Sequence, residues 1–124
     1  MKLIAITSPQ VIDSDALLIK GLCEKGIDFV HLRKPDADIS QCRKILAELP
    51  ESIRSRIIIH DFPELYYEFA LKGIHVNKNV TSLPSNYTGF KTRSCHSLDE
   101  IIAHRNNFNY LFLSPIFNSI SKAG

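Results

Sequence analysis

The stretch Tyr110-Leu-Phe-Leu-Ser-Pro-Ile-Phe-Asn-Ser-Ile-Ser-Lys122 runs apolar, stops abruptly at Ser114-Pro115 and hands over to hydroxyls and a lysine. It reads as a buried strand ending in an anion-binding loop. Ser119, Ser121 and Lys122 offer two O–H donors and a cation within four residues. The loop after the C-terminal end of a parallel strand is where α/β proteins place substrate groups. Taken by itself the segment would serve equally as a polar loop after a strand, but the pattern recurs.

Strand-then-polar-tip words return at spacings of roughly 20–35 residues, the length of a β/α unit. Leu3-Ile-Ala-Ile-Thr-Ser8 closes on Thr-Ser-Pro, Ile27-Asp-Phe-Val-His-Leu-Arg33 on Arg-Lys-Pro, and Arg56-Ile-Ile-Ile-His60 on His-Asp. Gly73-Ile-His-Val-Asn77 and Phe90-Lys-Thr-Arg-Ser-Cys-His96 follow the same rule. Helix-period stretches lie between most of them. Residues 15–25 set Leu17, Leu18, Leu22 and Cys23 on one expected face, with Gly26 as a C-cap glycine. Residues 39–49 carry Cys42, Ile45, Leu46 and Leu49 and stop at Pro50; residues 63–72 open on a proline and close on Gly73. Ser97-Leu-Asp-Glu100 has the form of a capping box opening a helix to about Arg105. The stretch from Lys78 to Thr88 holds Pro84 and several Ser and Asn residues, so it replaces the fourth helix or leaves only a turn of it.

Alternating strands and helices imply a parallel sheet, either a (β/α) barrel or an open doubly wound sheet. The expectation is an α/β chain, a (β/α)8 TIM barrel of which a single domain over residues 1–124 covers about the first six strands. A complete barrel usually needs about 200 residues or more, so strands seven and eight, whose loops often bind phosphate, are expected to be missing.

Hydrophobic residues at 44% and charged residues at 23% suffice for a core, and a net charge of +2 is too small to argue for nucleic acid. No apolar run approaches 18 residues, and the start of the chain lacks a signal-peptide pattern, which points to a cytoplasmic protein without a membrane partner. Cys23, Cys42 and Cys95 are too widely spaced for a disulfide framework or a zinc signature and read as packing.

The strand tips together resemble the thiamine phosphate synthase family and its relatives, the thiazole tautomerases. The words are His31-Leu-Arg33, Ile59-His60-Asp61, Gly73-Ile-His75, Ser94-Cys-His96-Ser and Ser114-Pro-Ile-Phe-Asn-Ser-Ile-Ser-Lys122. The resemblance implies a transferase that joins a hydroxymethylpyrimidine diphosphate to a thiazole phosphate and releases diphosphate with Mg2+. Such chemistry needs cations and hydroxyl donors on the leaving group. By the resemblance, that role falls on Arg33, Ser119, Ser121 and Lys122, with His31, His60 and Ser94 as further substrate contacts, His96 as a catalytic candidate and Asp61 as the metal ligand.

Two departures stand out. Pro35 holds the position of the family's lysine after strand two, with Lys34 one place earlier, and Val80 stands where a second magnesium aspartate would follow His75. The tautomerases break no diphosphate and carry histidine at the position of His31, so tautomerisation with His96 as acid and base is the alternative enzyme reading. A non-catalytic binding module, truncated or degenerate, is the alternative of another class. The expected partners are the two small molecules, with homo-oligomerisation left open.

Overall fold

The computed structural model describes residues 1–113. Its elements run β1 (Ile4–Ile6), α1 (Asp15–Glu24), β2 (Phe29–Leu32), α2 (Ile39–Ala47), α3 (Glu51–Arg54), β3 (Ile57–Ile59), α4 (Glu64–Phe69), β4 (Gly73–Val76), β5 (Phe90–Cys95), α5 (Leu98–His104) and β6 (Tyr110–Leu113). All six strands are parallel and stand in sequence order, β1-β2-β3-β4-β5-β6. A doubly wound sheet must reverse its strand order at a switch point. Here the order never reverses, so right-handed crossovers lay every helix on the same face.

The sheet also curls. In a flat sheet, strands four places apart would lie roughly 19 Å from one another, at about 4.8 Å per step. Instead His31 on β2 meets Tyr110 on β6, Nε2 to hydroxyl, at 2.6 Å, and the His31 and Phe112 rings lie 4.9 Å apart. The strands are an arc of a TIM-type barrel, as expected.

Alternation along the strands divides the residues between the two faces. Val30, Leu32, Ile57, Ile59 and Ile74 face the helices and form the core with Ile19, Cys42, Ile45, Leu46, Leu49 and Leu65. The concave face takes Phe29, His31, Ile58, His75, Thr92, Tyr110 and Phe112, which neighbour one another by register. Its three histidine and threonine members are fully buried. All three cysteines are free and buried, as their spacing suggested.

Local signals explain most helix ends. α1 stops in a Schellman motif: Gly26 at φ +106 donates to the Cys23 carbonyl and Ile27 to that of Leu22. Ser97 accepts from the Glu100 N–H, and Glu100 accepts from the His96 N–H, one residue before the expected reciprocal partner. α2 has a full capping box between Asp38 and Gln41 that the periodicity did not suggest.

Two expectations need correction. The buried face of α1 is Asp15, Ala16, Ile19 and Cys23, whereas Leu17 and Leu18 are 72% and 53% exposed. The apolar arc of α1 is wide enough for two faces, and packing on β2 and α2 selects the one with smaller side chains. Gly73 does not close α4, which ends at left-handed Ala70. It lies inside β4, where a Cβ would fall 2.4 Å from the Phe90 carbonyl oxygen.

Candidate active site

The C-terminal ends of the strands surround a cavity of about 970 Å³ lined by Arg33, His60, Asp61, Arg93, Ser94 and His96 among others. Arg33 is held by its backbone: Thr7, just past β1, accepts from the Arg33 N–H at 3.0 Å and donates to its carbonyl at 3.2 Å. The guanidinium is left exposed at the rim.

Lys34, the displaced lysine, turns away. Its Nζ donates to the Ser8 and Gln10 carbonyls and pairs with Asp15 at 2.7 Å, with only 2% of the residue exposed. All three ammonium protons are used inside the fold, so Lys34 ties the β1–α1 loop down and offers nothing to an anion. Pro35 lines the cavity without a charge.

Asp61 and Phe62 follow β3 in the left-handed region, at φ 48 and 45. Such backbone costs on the order of 1–3 kcal/mol per non-glycine residue. Phe62 packs against the core, which supports a bend that aims the Asp61 carboxylate into the cavity. Its Oδ1 accepts from the amides of Asn77 at 3.5 Å and Asn79 at 3.2 Å. The Asn77 oxygen is turned the other way, to the backbone N–H groups of Asn79 and Val80. Val80 itself is buried in the core. Among the described residues, the strand-end cavity is lined by two carboxylates, Asp61 and Glu100, and the second is engaged by the His96 N–H, which leaves Asp61 as the one facing Asn77 and Asn79.

Beneath the cavity lies a histidine cluster. His31 Nδ1 bonds His60 Nε2 at 2.8 Å, and His75 bonds the hydroxyls of Thr92 and Ser94, each at 2.7 Å. The His60 and His75 rings stack in parallel, 4.0 Å apart. Burial, followed by neighbouring His75, drives the His31 pKa down to about 3. Burial also lowers His60 to about 2, helped by His75, His31 and Arg33. For His75 burial outweighs the opposing pull of Asp61 and sets the value near 4. All three rings are neutral at physiological pH. Burial likewise pushes the Tyr110 phenol up, so it stays a phenol.

The nitrogens of these three rings lie within 4.8 Å of one another, close enough to raise the question of a metal. An imidazole holds a metal in its ring plane, and the planes of His60 and His75 do not meet. Both nitrogens of His31 and of His75 are also already engaged. The cluster is a hydrogen-bonded floor. Mg2+, which prefers oxygen and keeps waters alongside one or two carboxylates, is matched instead by Asp61.

Of the residues singled out from sequence, the fold brings Arg33, His60, Asp61, Ser94 and His96 to one cavity. His31 is fully buried below it and does not line it. Ser119, Ser121 and Lys122 lie outside the described residues. Thr7, Thr92 and Tyr110 escaped the sequence reading; the only signal for the last two was their parity with His75 and His31 along inward-facing strands.

The model of the thiamine monophosphate synthase family matches residues 3–124. The chain belongs to that family. The crystal structure of thiamine phosphate pyrophosphorylase from Bacteroides thetaiotaomicron superposes with a TM-score of 0.86 at 37% identity, over 96% of this chain and 60% of that one. The thiamine phosphate pyrophosphorylase from Pyrococcus furiosus shares the fold, with a TM-score of 0.70 at 16% identity, over 89% of this chain and 58% of that one. The chain thus spans about three fifths of the length of these structures. None of the curated proteins matches it. Among the described residues, no helix is long and apolar enough to cross a membrane.

Proposed function

We propose that the protein carries out the thiamine phosphate synthase reaction, joining hydroxymethylpyrimidine diphosphate to thiazole phosphate with release of diphosphate. The observation that carries the reading is that Arg33, Asp61, Ser94 and His96, from three different strand ends of a family member, line one cavity.

Breaking the pyrimidine carbon–oxygen bond leaves negative charge on the diphosphate and positive charge on the methylene. Arg33 faces the diphosphate with a planar fork that grips phosphate oxygens in pairs. Ser119, Ser121 and Lys122 are proposed to complete the anion grip. Asp61 would hold Mg2+, which when bound neutralises diphosphate oxygens. With Val80 buried where a second carboxylate would stand, most of the ion's other ligands would come from water and substrate. The neutral histidine floor adds no positive charge next to the developing cation. His60 lines the cavity, while His31 holds the His60 ring by a hydrogen bond, and His75 orients the Ser94 hydroxyl.

One observation favours a second reading, thiazole tautomerisation: Val80 replaces a metal carboxylate with a buried apolar side chain. His96, exposed in the cavity, would then move the proton.

Incubation with both substrates and Mg2+ should yield thiamine phosphate, and Asp61→Ala should lower turnover on the order of 100-fold, since even the outer-shell partners of metal ligands are worth about 10–100-fold. Product formation that needs no Mg2+ and survives Asp61→Ala would remove the synthase reading. Conversion of the thiazole tautomer alone would establish the other.

A further inference from the structure

The connection from β4 to β5, residues 77–89, carries no helix. In its place, between that loop and the end of α5, lies a second cavity of about 420 Å³ on the outside of the barrel. Its walls include Lys91, Arg93 and His104, with Ser85 and the apolar Leu83 and Phe108. Thr92 and Ser94 bond His75 on the concave face, so Lys91 and Arg93 project to the opposite side, where the other inner strands carry Val, Leu and Ile.

Two half-buried cations on the helix-facing side of a sheet are costly unless something neutralises them. Among the described residues, no aspartate or glutamate lines this cavity. Neither Lys91 nor Arg93 forms a salt bridge among the described residues. The Arg93 Nε is buried with no hydrogen-bond partner among the described residues. Arg93 also borders the strand-end cavity, so it stands in the wall between the two.

We propose that this outer cavity is a second anion site, which takes a small phosphomonoester with its phosphate on Lys91 and Arg93 and its apolar body against Leu83 and Phe108. The charge of the two cations matches a phosphate dianion, and the volume suits a compact ligand. The site is separate from the strand-end cavity and does not depend on the reaction assigned there.

Phenyl phosphate serves as the probe, titrated into the protein at constant ionic strength and followed by two-dimensional amide NMR. In an Arg33→Ala background, which weakens the strand-end site, saturable shifts are expected at Leu83, Lys91 and Phe108. Lys91→Gln should weaken that saturation by about tenfold, roughly 1.4 kcal/mol. Should Lys91→Gln fail to fold, His104→Gln carries the same expectation. Shifts confined to Asp61, Ser94 and His96, insensitivity to Lys91→Gln, or the same shifts with phenol would overturn the proposal.

Discussion

At the scale of single residues, the displaced lysine shows how one position changes the work of a cation. Lys34 points into the fold, where its ammonium meets Asp15 and two carbonyls. A buried pair of this kind is expensive to break, because removing one partner leaves the other charge stranded. Lys34→Met should therefore cost about 3–5 kcal/mol in urea unfolding. A loss below about 1 kcal/mol would show that Asp15 finds water or another donor. From the words around Arg33 and Asp61 one could read that both sit at strand tips; that Lys34 serves the neighbouring loop could not be read, because its three acceptors include two backbone carbonyls.

Within single elements, two glycines make opposite predictions. Gly21 lies inside α1, and a Cβ there would meet nothing within 4 Å. Gly21→Ala should stabilise the protein by about 0.5–1 kcal/mol, the difference in helix propensity. Gly73 lies in β4 against β5, and its Cβ would fall 2.6 Å from that of Phe90 and closer still to its carbonyl. Overpacking there should cost about 1–3 kcal/mol. Thermal melts of the two variants should move in opposite directions; a Gly73→Ala melt at or above the parent's would mean that β4 and β5 can separate at that point. Gly73 looked like helix punctuation in the sequence. Only the strand pairing places it in β4 against Phe90.

Across the whole molecule, the curl of the sheet gathers His31, His60 and His75 from three strands into one buried cluster. In the folded state their pKa values lie near 3, 2 and 4, against 6.5 for ordinary histidine. Above pH 6.5 the folded and unfolded chains are alike at these groups. As pH falls through 6.5 the unfolded chain takes up protons that the folded cluster refuses, so stability is lost on the acid side, by at most about 1.4 kcal/mol per pH unit for each ring. Urea midpoints measured from pH 7.5 to pH 4.5 should fall accordingly, and His60→Gln should flatten the slope. An unchanged slope in that variant would mean that His60 is not held neutral by burial.

The strands, their parallel direction and their polar tips could be derived from the chain's own periodicity, because alternating two-residue and 3.6-residue patterns are local properties. Arg33, Asp61, Ser94 and His96 could be placed at or near strand ends from the same words, and the fold puts all four on the strand-end cavity. What lines what was a tertiary matter. The choice between Leu17 and Ile19 as the inward residue of α1 depends on packing against β2 and α2, and the burial of His31 beneath the cavity rather than in it and the meeting of Tyr110 with His31 depend on sheet curvature. Curvature sums small twists over many strands, and no single stretch of sequence contains that sum.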